Sequence, residues 1–514
     1  MPEPEFNVIS GAAPLVLVAP HGGRRDPVLR PWRDGGLKVN DLHTAALTAE
    51  LADATGASAL VNAGLDRNDT DLNRIVEAAE RAPRFLELLA AILEEKLAAH
   101  ERVTLLTVHG WNVVQAAVDV GLGCKTDGDP FAVGRRAAVS PAFAATGLAR
   151  LLAACDAHGI VATVGARYPA RNAENLLQLF TARYRDDPRA SVRALAAAAP
   201  RVDAMQLELG IPLRWPGTWR ERLCASIVAS LPELLAPRPD AAGATATRPQ
   251  AAPSPPRAPF RVEFTSPGMC GLAALDGGVG GGRLLLFLPG NRLLLFTGER
   301  AGAGPGDGIR PLVLRTDARG TAVRFHGSLL EFPDSTPFLD LETGLARGHL
   351  VDADVALDYA PHAALGGDGF GDITGRVTLD GVPHDITGLG STGGSFAEGP
   401  WPRVRVALRL SPDAALRATL AVRDNTATGT LIRGTERLDI VNGTATIVDP
   451  EDPFTRVELR LELANGEQLT VVARALHRLP VVRIQPAGSL RLDFAACHLE
   501  GETTPAGWCE AAGL

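Results

Sequence analysis

Residues 237–259 divide the sequence into two parts with different hydrophobic patterns. This segment consists largely of Pro, Ala and Thr and contains no bulky apolar residue. A segment of this composition cannot bury a core and is typical of a linker. The chain has 514 residues, which is more than one ordinary domain holds. We therefore predict two domains, residues 1–236 and residues 260–514.

The first part alternates short apolar runs with longer helical patterns. The runs Leu15–Ala19, Val103–Val108 and Asp203–Leu209 are almost continuously apolar, which is typical of strands buried on both faces of a parallel sheet. Helical patterns lie between them, for example at residues 41–55 and 77–99. The pattern predicts a largely parallel sheet covered by helices on both faces. In such folds ligand sites gather at the carboxyl ends of the strands.

The second part carries short alternating runs that are bounded by Gly, Asp and Asn. Examples are Arg283–Pro289, Arg403–Leu410 and Arg456–Leu463. Roughly ten or more such runs without a convincing helix predict an all-β domain, built as one antiparallel barrel or a pair of barrels.

Composition excludes several classes of protein. The net charge of −8, the isoelectric point near 5.8 and the lack of a Lys/Arg cluster with interleaved aromatics disfavour a nucleic-acid partner. Six cysteines without CxxC pairing are typical of free thiols in a reducing cytosol. The acidic N-terminus does not resemble a signal peptide, and no run approaches the ~20 apolar residues of a membrane span. We expect a cytoplasmic protein.

Three polar residues stand out because they adjoin or interrupt apolar strands. His21 and His109 each follow an apolar run closely, and Glu208 lies inside one. A carboxylate in a core strand requires a cation or a hydrogen-bond network. Two strand-end histidines and a late strand carboxylate predict a zinc hydrolase, with histidine ligands, an open coordination position and Glu208 as the base.

The second zinc ligand has two candidates in the sequence. Asp41 opens a helical pattern, so it is either the N-cap of that helix or a metal ligand. Asp26, in the loop after His21, competes for the same role. The run DRNDTDLNR at residues 66–74 is either a solvated loop or a set of arginines, held by carboxylates, that clamps a substrate carboxylate.

Taken in order, five segments resemble the N-formylglutamate amidohydrolase family. They are PHGG at residues 20–23, Asp41, the segment Arg67–Arg74, VHG at residues 108–110 and QLEL at residues 206–209. The chain is similar, more distantly, to the aspartoacylase and succinylglutamate desuccinylase group and to zinc carboxypeptidases. The resemblance spans about residues 8–235 and implies a phosphorylase/hydrolase-like three-layer α/β/α sandwich that holds one zinc ion.

The resemblance also implies a role for individual residues. In carboxypeptidases and aspartoacylases the acidic ligand stands three residues after the first histidine, where this chain has Arg24. The family's Asn-x-Pro segment is replaced by residues 166–172, in which Arg171 becomes a candidate substrate contact. The implied roles are zinc binding by His21, Asp41 and His109, catalysis by Glu208 and Arg67, and substrate binding by Asp71, Asn73 and Arg74.

These observations predict a zinc amidohydrolase that cleaves an N-acyl, formyl-like amide of a substrate with a carboxylate. Zinc would lower the pKa of a bound water to about 7, and Glu208 would take the proton of that water and pass it to the leaving amine.

Residues 381–395 and the GWCE segment at residues 507–510 resemble the tandem lipocalin-type barrels of hydroxyneurosporene-synthase-like proteins, which implies an apolar ligand. Two alternatives remain: a barrel-based small-molecule binding protein with a degenerate hydrolase scaffold, and a zinc carboxypeptidase.

Overall fold

The computed structural model describes most of the chain outside the linker. The described residues form two compact units, one up to residue 236 and one from residue 260, and the predicted linker 237–259 lies outside the described residues. The described ranges are 5–23, 40–125, 137–236, 260–275, 281–299, 308–309, 311–334, 345, 347–362, 369–393, 403–422, 424–447, 456–485, 488–501 and 505–512.

The first unit is a mixed α/β structure. Among its described residues, no helix combines the length and the hydropathy needed to cross a bilayer. Its strands are β1 (Phe6–Ile9), β2 (Leu15–Ala19), β3 (Ser58–Asn62), β4 (Val103–Gly110), β5 (Ala117–Gly121), β6 (Val161–Val164) and β7 (Val202–Leu209). Its helices are α1 (Thr44–Thr55), α2 (Ile75–Arg81), α3 (Pro83–Ala99), α4 (Pro141–Phe143), α5 (Ala149–Ala157), α6 (Ala190–Ala198), α7 (Ile211–Arg214) and α8 (Thr218–Leu234).

The seven strands of this unit form one sheet in the order β1-β3-β2-β4-β7-β5-β6. The central strands β3, β2, β4 and β7 are parallel. β1 runs antiparallel to β3, and β5 runs antiparallel to β7. The largely parallel centre agrees with the continuous apolar runs, whereas the pattern does not predict β1 and β5.

Helices cover both faces of the sheet. On one face, Leu106 and Leu207 pack in a core with side chains of α1, α5 and α8. On the other face, Leu105 and Ala204 pack in a second core with side chains of α2, α3 and α6. Neighbouring strand residues thus enter different cores, as the two-residue period of a strand requires. The result is a three-layer arrangement, and the phosphorylase/hydrolase-like assignment stays a prediction.

Two helices differ from the predicted ones for local reasons. The helix predicted at residues 77–99 is divided at Ala82, which has φ −138° and ψ 54°, because the ring of Pro83 disfavours helical geometry at the preceding residue. The helix predicted at residues 41–55 begins at Thr44, and its N-cap is His43, with a left-handed φ of 66°. Asp41 is therefore not the N-cap of α1, and this interpretation of its role is wrong.

The second unit is composed almost entirely of strands. The first group contains β8 (Phe260–Ser266), β9 (Met269–Leu275), β10 (Gly281–Leu288), β11 (Arg292–Glu299), β12 (Gly308–Ile309), β13 (Leu312–Asp317), β14 (Gly320–Phe332), β15 (His349–Pro361), β16 (Phe370–Leu379) and β17 (Val382–Gly393). The second group contains β18 (Arg403–Ser411), β19 (Ala414–Ala421), β20 (Thr426–Arg433), β21 (Glu436–Ile447), β22 (Arg456–Leu463), β23 (Gln468–Gln485), β24 (Gly488–Leu499) and β25 (Pro505–Ala512).

The second group, β18 to β25, forms a closed eight-stranded antiparallel barrel. The first group forms a ten-stranded sheet. In this sheet β14 pairs with β13 along residues 320–325 and with β11 along residues 330–332, which closes a second ring of strands. The prediction of an all-β domain with a barrel is confirmed, and its lipocalin-type identity stays a prediction.

Buried charged side chains join the two strand groups of this unit. Arg261 and Glu263 of β8 form an ion pair with 2.9 Å between nitrogen and oxygen, and Arg261 also pairs with Glu510 of β25. Arg405 of β18 lies 3.7 Å from Glu510. Burial raises the pKa of Glu510 to about 7, although Arg261 acts in the opposite direction. The two groups therefore share a buried ionic cluster.

Candidate metal centre

The predicted site residues lie near the carboxyl ends of β2, β4 and β7. On one face of the sheet, the side chains of β4 and β7 change from apolar to polar toward the carboxyl end of each strand. Because alternate residues of a strand share a face, this change places polar groups together at one edge of an apolar core. The two series are Val103, Leu105, Thr107 and His109 on β4, and Val202, Ala204, Gln206 and Glu208 on β7.

His21 lies in the turn after β2, beside Asp41. The backbone N–H of Asp41 donates to the carbonyl oxygen of His21 over 3.0 Å. Gly22 is needed in this turn because a Cβ at that position would lie 2.8 Å from the Cβ of Ala45 on α1. The glycine after His21 therefore serves close packing of the turn on α1.

His21, Asp41 and His109 form a compact group of possible metal donors, with one donor atom of each within 4.8 Å of the others. The Asp41 Oδ2 atom lies 3.2 Å from Nδ1 of His21 and 3.3 Å from Nδ1 of His109. A tetrahedral zinc ion with bonds of about 2.0–2.1 Å requires donor atoms about 3.3 Å apart. The two measured spacings match that requirement. Asp26, the alternative ligand, lies outside the described residues.

The pKa shifts of Asp41 and His109 favour the ionisation states that bind a metal cation. Burial on its own raises the pKa of Asp41, but Arg67 and the two histidines outweigh it and hold that pKa well below its usual value. Burial lowers the pKa of His109, although its hydrogen bond with Asp41 acts in the opposite direction. An ionised carboxylate and a neutral imidazole are the forms that bind metal. His109 Nε2 is also buried without a hydrogen-bond partner among the described residues.

Asp71 contacts the other nitrogen of His21. Its Oδ1 atom lies 2.7 Å from His21 Nε2, and both side chains are buried. When Nε2 carries the proton and donates it to Asp71, the lone pair of Nδ1 faces Asp41. Carboxylates commonly hold metal-binding histidines in this way. The substrate contact expected for Asp71 stays a prediction, and in the structure its Oδ1 atom is on His21.

Glu208 lies directly opposite His109 in the register of β4 and β7. Gln206 Nε2 donates to Glu208 Oε1 over 2.7 Å, and Asn175 Nδ2 donates to Gln206 Oε1 over 3.0 Å. This chain of amides fixes the carboxylate. Burial and, second, the charge of Asp41 raise the pKa of Glu208 to about 8. The structure thus holds a buried, oriented carboxyl group beside the donor group.

Arg67, the second predicted catalytic residue, contacts the donor group, whereas the predicted substrate-binding residues Asn73, Arg74 and Arg171 do not contact it within the described part of the chain. Arg67 Nη1 donates to Asp41 Oδ1 over 3.0 Å. The Arg74 side chain is partly exposed, with its Nε 3.9 Å from Asp71 Oδ2. Asn73 Oδ1 accepts a weak hydrogen bond from a backbone N–H of the 176–180 helical turn. Arg171 is exposed and makes no hydrogen bond to the site within the described part of the chain.

Asp119, which the sequence pattern does not single out, organises residues 166–168 within the segment 166–172. Asp119 is fully buried on β5 and lies opposite Glu208 in the register of β5 and β7. Its carboxylate accepts hydrogen bonds from the backbone N–H groups of residues 166–168, at 2.6–3.1 Å. The signal for this residue is an aspartate in the otherwise apolar run AVDVG. Asp119 therefore shapes the loop next to the proposed base.

Comparisons with known proteins add little to this geometry. The chain matches no family model, and no curated protein is similar enough to match it. An N-formylglutamate amidohydrolase structure from Ralstonia eutropha is 14% identical, covers 45% of this chain and 97% of its own, and has a TM-score of 0.30. A gene product of Agrobacterium tumefaciens is 14% identical, covers 45% and 92%, and has a TM-score of 0.29. Similarities this weak do not establish the family or the function of this chain.

Proposed function

We propose that residues 1–236 form a zinc-dependent amidohydrolase domain that cleaves an N-acyl, formyl-like amide of a substrate with a carboxylate. One observation carries the proposal. The Asp41 Oδ2 atom lies 3.2 and 3.3 Å from the Nδ1 atoms of His21 and His109, at the spacing of tetrahedral zinc ligands. Glu208 adjoins this group on the neighbouring strand. The combination supports metal-assisted hydrolysis.

The donor set fits zinc. Two imidazole nitrogens and one carboxylate oxygen are common zinc ligands, and three protein ligands leave a position open for substrate or water. His21, Asp41 and His109 would hold the ion, and Asp71 would orient His21. When bound, zinc supplies a Lewis acid that polarises a carbonyl group and makes water more acidic.

Glu208 is the proposed general base. It takes a proton from the attacking water as the new C–O bond forms at the amide carbon, and it delivers that proton to the amide nitrogen as the C–N bond breaks. Its hydrogen bond from Gln206 keeps the carboxylate in one orientation. Burial raises the pKa of Glu208 to about 8 in the metal-free protein, and a bound cation would lower it again, which favours the ionised form that takes the proton.

Arginine and asparagine side chains are the proposed substrate contacts. Arg67 reaches the centre through Asp41 and is proposed to stabilise the developing oxyanion, a contact worth ~3–4 kcal/mol. Arg74 is partly exposed beside Asp71, and its planar guanidinium suits two-point binding of a carboxylate. Arg74 and Asn73 are therefore proposed to bind the substrate carboxylate.

The test uses the full-length protein. Metal content is measured after gentle purification, and hydrolysis is then assayed with N-formyl, N-acetyl and N-succinyl amino acids. Each free acid is paired with its amidated form. We expect close to one zinc per chain and a clear preference for free acids. A His109→Ala preparation made in parallel controls for contaminating hydrolases. Metal content far below one per chain, or no hydrolysis of any N-acyl amino acid by the zinc-loaded protein, would overturn the proposal.

A further inference from the structure

Arg214 is a fully buried arginine that bonds to three separate backbone segments. It lies at the end of α7, a short helix that follows β7, and its exposed fraction is 0%. Its Nε donates to the carbonyl of Leu209 over 3.1 Å, and its Nη1 donates to that of Leu42 over 2.8 Å. Its Nη2 donates to the carbonyl of Trp111 over 3.3 Å and to Asn112 Oδ1 over 2.8 Å.

Each of these carbonyls belongs to a segment that carries a residue of the metal centre. Leu42 adjoins Asp41, Trp111 follows His109 by two residues, and Leu209 adjoins Glu208. The guanidinium is rigid and planar, so it fixes the relative positions of the groups it binds. One side chain thus ties together the backbones that present two donors and the proposed base.

The surroundings of Arg214 are unusual for a residue that only fills space. No carboxylate of the described residues pairs with it directly, and its hydrogen-bond acceptors are three backbone carbonyl oxygens and one side-chain amide oxygen. Burying a charge on neutral acceptors is costly compared with an apolar side chain of similar volume. Asp41 and Glu208 are near enough to favour its charge electrostatically. The charge of Arg214 is therefore buried at a position where the Asp41 and Glu208 carboxyl groups offset part of the free-energy cost.

We infer that Arg214 is a positioning residue, which sets the separation of Asp41, His109 and Glu208 and so determines metal affinity. The inference rests on the proposed function, because it concerns the same centre. It also explains the glycine after His109. A Cβ on Gly110 would lie 2.6 Å from Nη1 and 2.7 Å from Cζ of Arg214, so that glycine leaves room for the guanidinium.

The first test measures metal binding rather than activity. Cobalt(II) is titrated into metal-free wild type, Arg214→Met and Arg214→Lys, and the visible spectrum reports ligand geometry. We expect Arg214→Met to bind cobalt about 10- to 100-fold more weakly, the usual effect of removing an outer partner of a metal site, with an altered spectrum and unchanged secondary structure. Arg214→Lys keeps the charge but not the planar fork, so we expect only partial recovery.

Arg102→Met is the matched control. Arg102 connects the opposite ends of β4 and β7, where it donates to the carbonyl of Pro200 and to Asp203 Oδ2, both over 3.1 Å. Its loss is expected to lower thermal stability without changing cobalt affinity or the spectrum. If Arg214→Met and wild type bind cobalt equally and give the same spectrum, the inference is wrong.

Gly110→Ala tests the contact itself: alone it serves if Arg214→Met fails to fold, and otherwise it completes a double-mutant cycle with Arg214→Met. The added methyl group displaces the guanidinium in wild type, so we expect weaker cobalt binding. In the Arg214→Met background the same change is expected to cost less, because the rigid group is gone. Full affinity in Gly110→Ala alone, or additive effects, contradict the inference. A wild type that binds no metal contradicts the proposed function instead.

Discussion

Asp71 Oδ1 lies 2.7 Å from Nε2 of His21, within a pair of buried side chains. This contact decides which nitrogen of His21 is available to a metal, because the nitrogen that donates to Asp71 cannot also offer a lone pair. Nδ1 then faces Asp41, at a separation of 3.2 Å. Asp71 thus contacts one of the three candidate metal donors directly.

The first prediction concerns this support. Asp71→Asn keeps the shape of the side chain but removes the charge that orients and polarises His21, so we expect metal affinity to fall about 10- to 100-fold. Competition with a chromophoric chelator measures the effect. Asp69→Asn, an exposed aspartate on the same loop, is the control and is expected to bind metal like wild type. Unchanged affinity in Asp71→Asn would show that Asp71 does not support the metal donors.

The second prediction concerns the ligand that the sequence leaves open. Asp41 Oδ2 lies between the two histidine nitrogens, so Asp41→Asn is expected to remove most of the bound zinc. Asp26→Asn is expected to retain it. Zinc per chain, measured after brief dialysis against a mild chelator, compares the two variants. The opposite pattern, with zinc lost only from Asp26→Asn, would move the ligand to the loop after His21.

The central strands of the α/β unit could be predicted because both faces of the sheet are buried, which makes the strands continuously apolar. The same reasoning fails for β5, whose sequence contains Asp119. That residue is fully buried, and its carboxylate oxygens accept hydrogen bonds from backbone groups 47–49 residues later in the chain. A tertiary contact of this kind leaves no local pattern.

His21 and His109 could be singled out because each is polar at the end of an apolar run, and Asp41 because it opens a helical pattern, while their binding of a metal stays a prediction. Arg214 could not be predicted in this way, because the local sequence around an arginine in the short segment after β7 is also typical of an exposed helix start. Its burial depends on carbonyl groups of Leu42 and Trp111, which come from distant parts of the chain. Asn175 escapes prediction for the same reason, since its partner Gln206 lies on β7. Sequence patterns thus identify candidate metal donors. The residues that hold those donors in place are identified only from tertiary contacts in the folded chain.

The third prediction concerns the turnover of the proposed enzyme. Glu208→Gln keeps the size of the side chain but cannot take up a proton. We expect folded protein with bound zinc and a loss of about 10²–10⁴ in kcat, the usual contribution of positioned proton transfer. Melting temperature and zinc content are measured on the same sample. A folded, zinc-loaded Glu208→Gln variant with turnover within a few-fold of wild type would exclude Glu208 as the base.

The last prediction concerns the pH dependence of stability in the metal-free protein. The pKa of Glu208 is raised from about 4.5 to about 8 by burial and by the charge of Asp41, so the folded chain binds this proton more tightly than the unfolded chain. The stabilisation from Glu208 is therefore complete below about pH 4.5 and is lost as the pH rises through about 8. The full difference is on the order of 4–5 kcal/mol.

Gln at position 208 does not titrate, so the free energy of unfolding of Glu208→Gln, relative to wild type, is expected to rise between pH 5 and pH 8.5. Urea unfolding in the presence of a chelator measures this difference at each pH. Glu87→Gln, which changes an exposed residue of α3, is expected to show no such trend. Adding zinc should remove most of the difference, because a nearby cation favours the ionised carboxylate. A difference between Glu208→Gln and wild type that stays constant across this range would show that Glu208 is already ionised at pH 5.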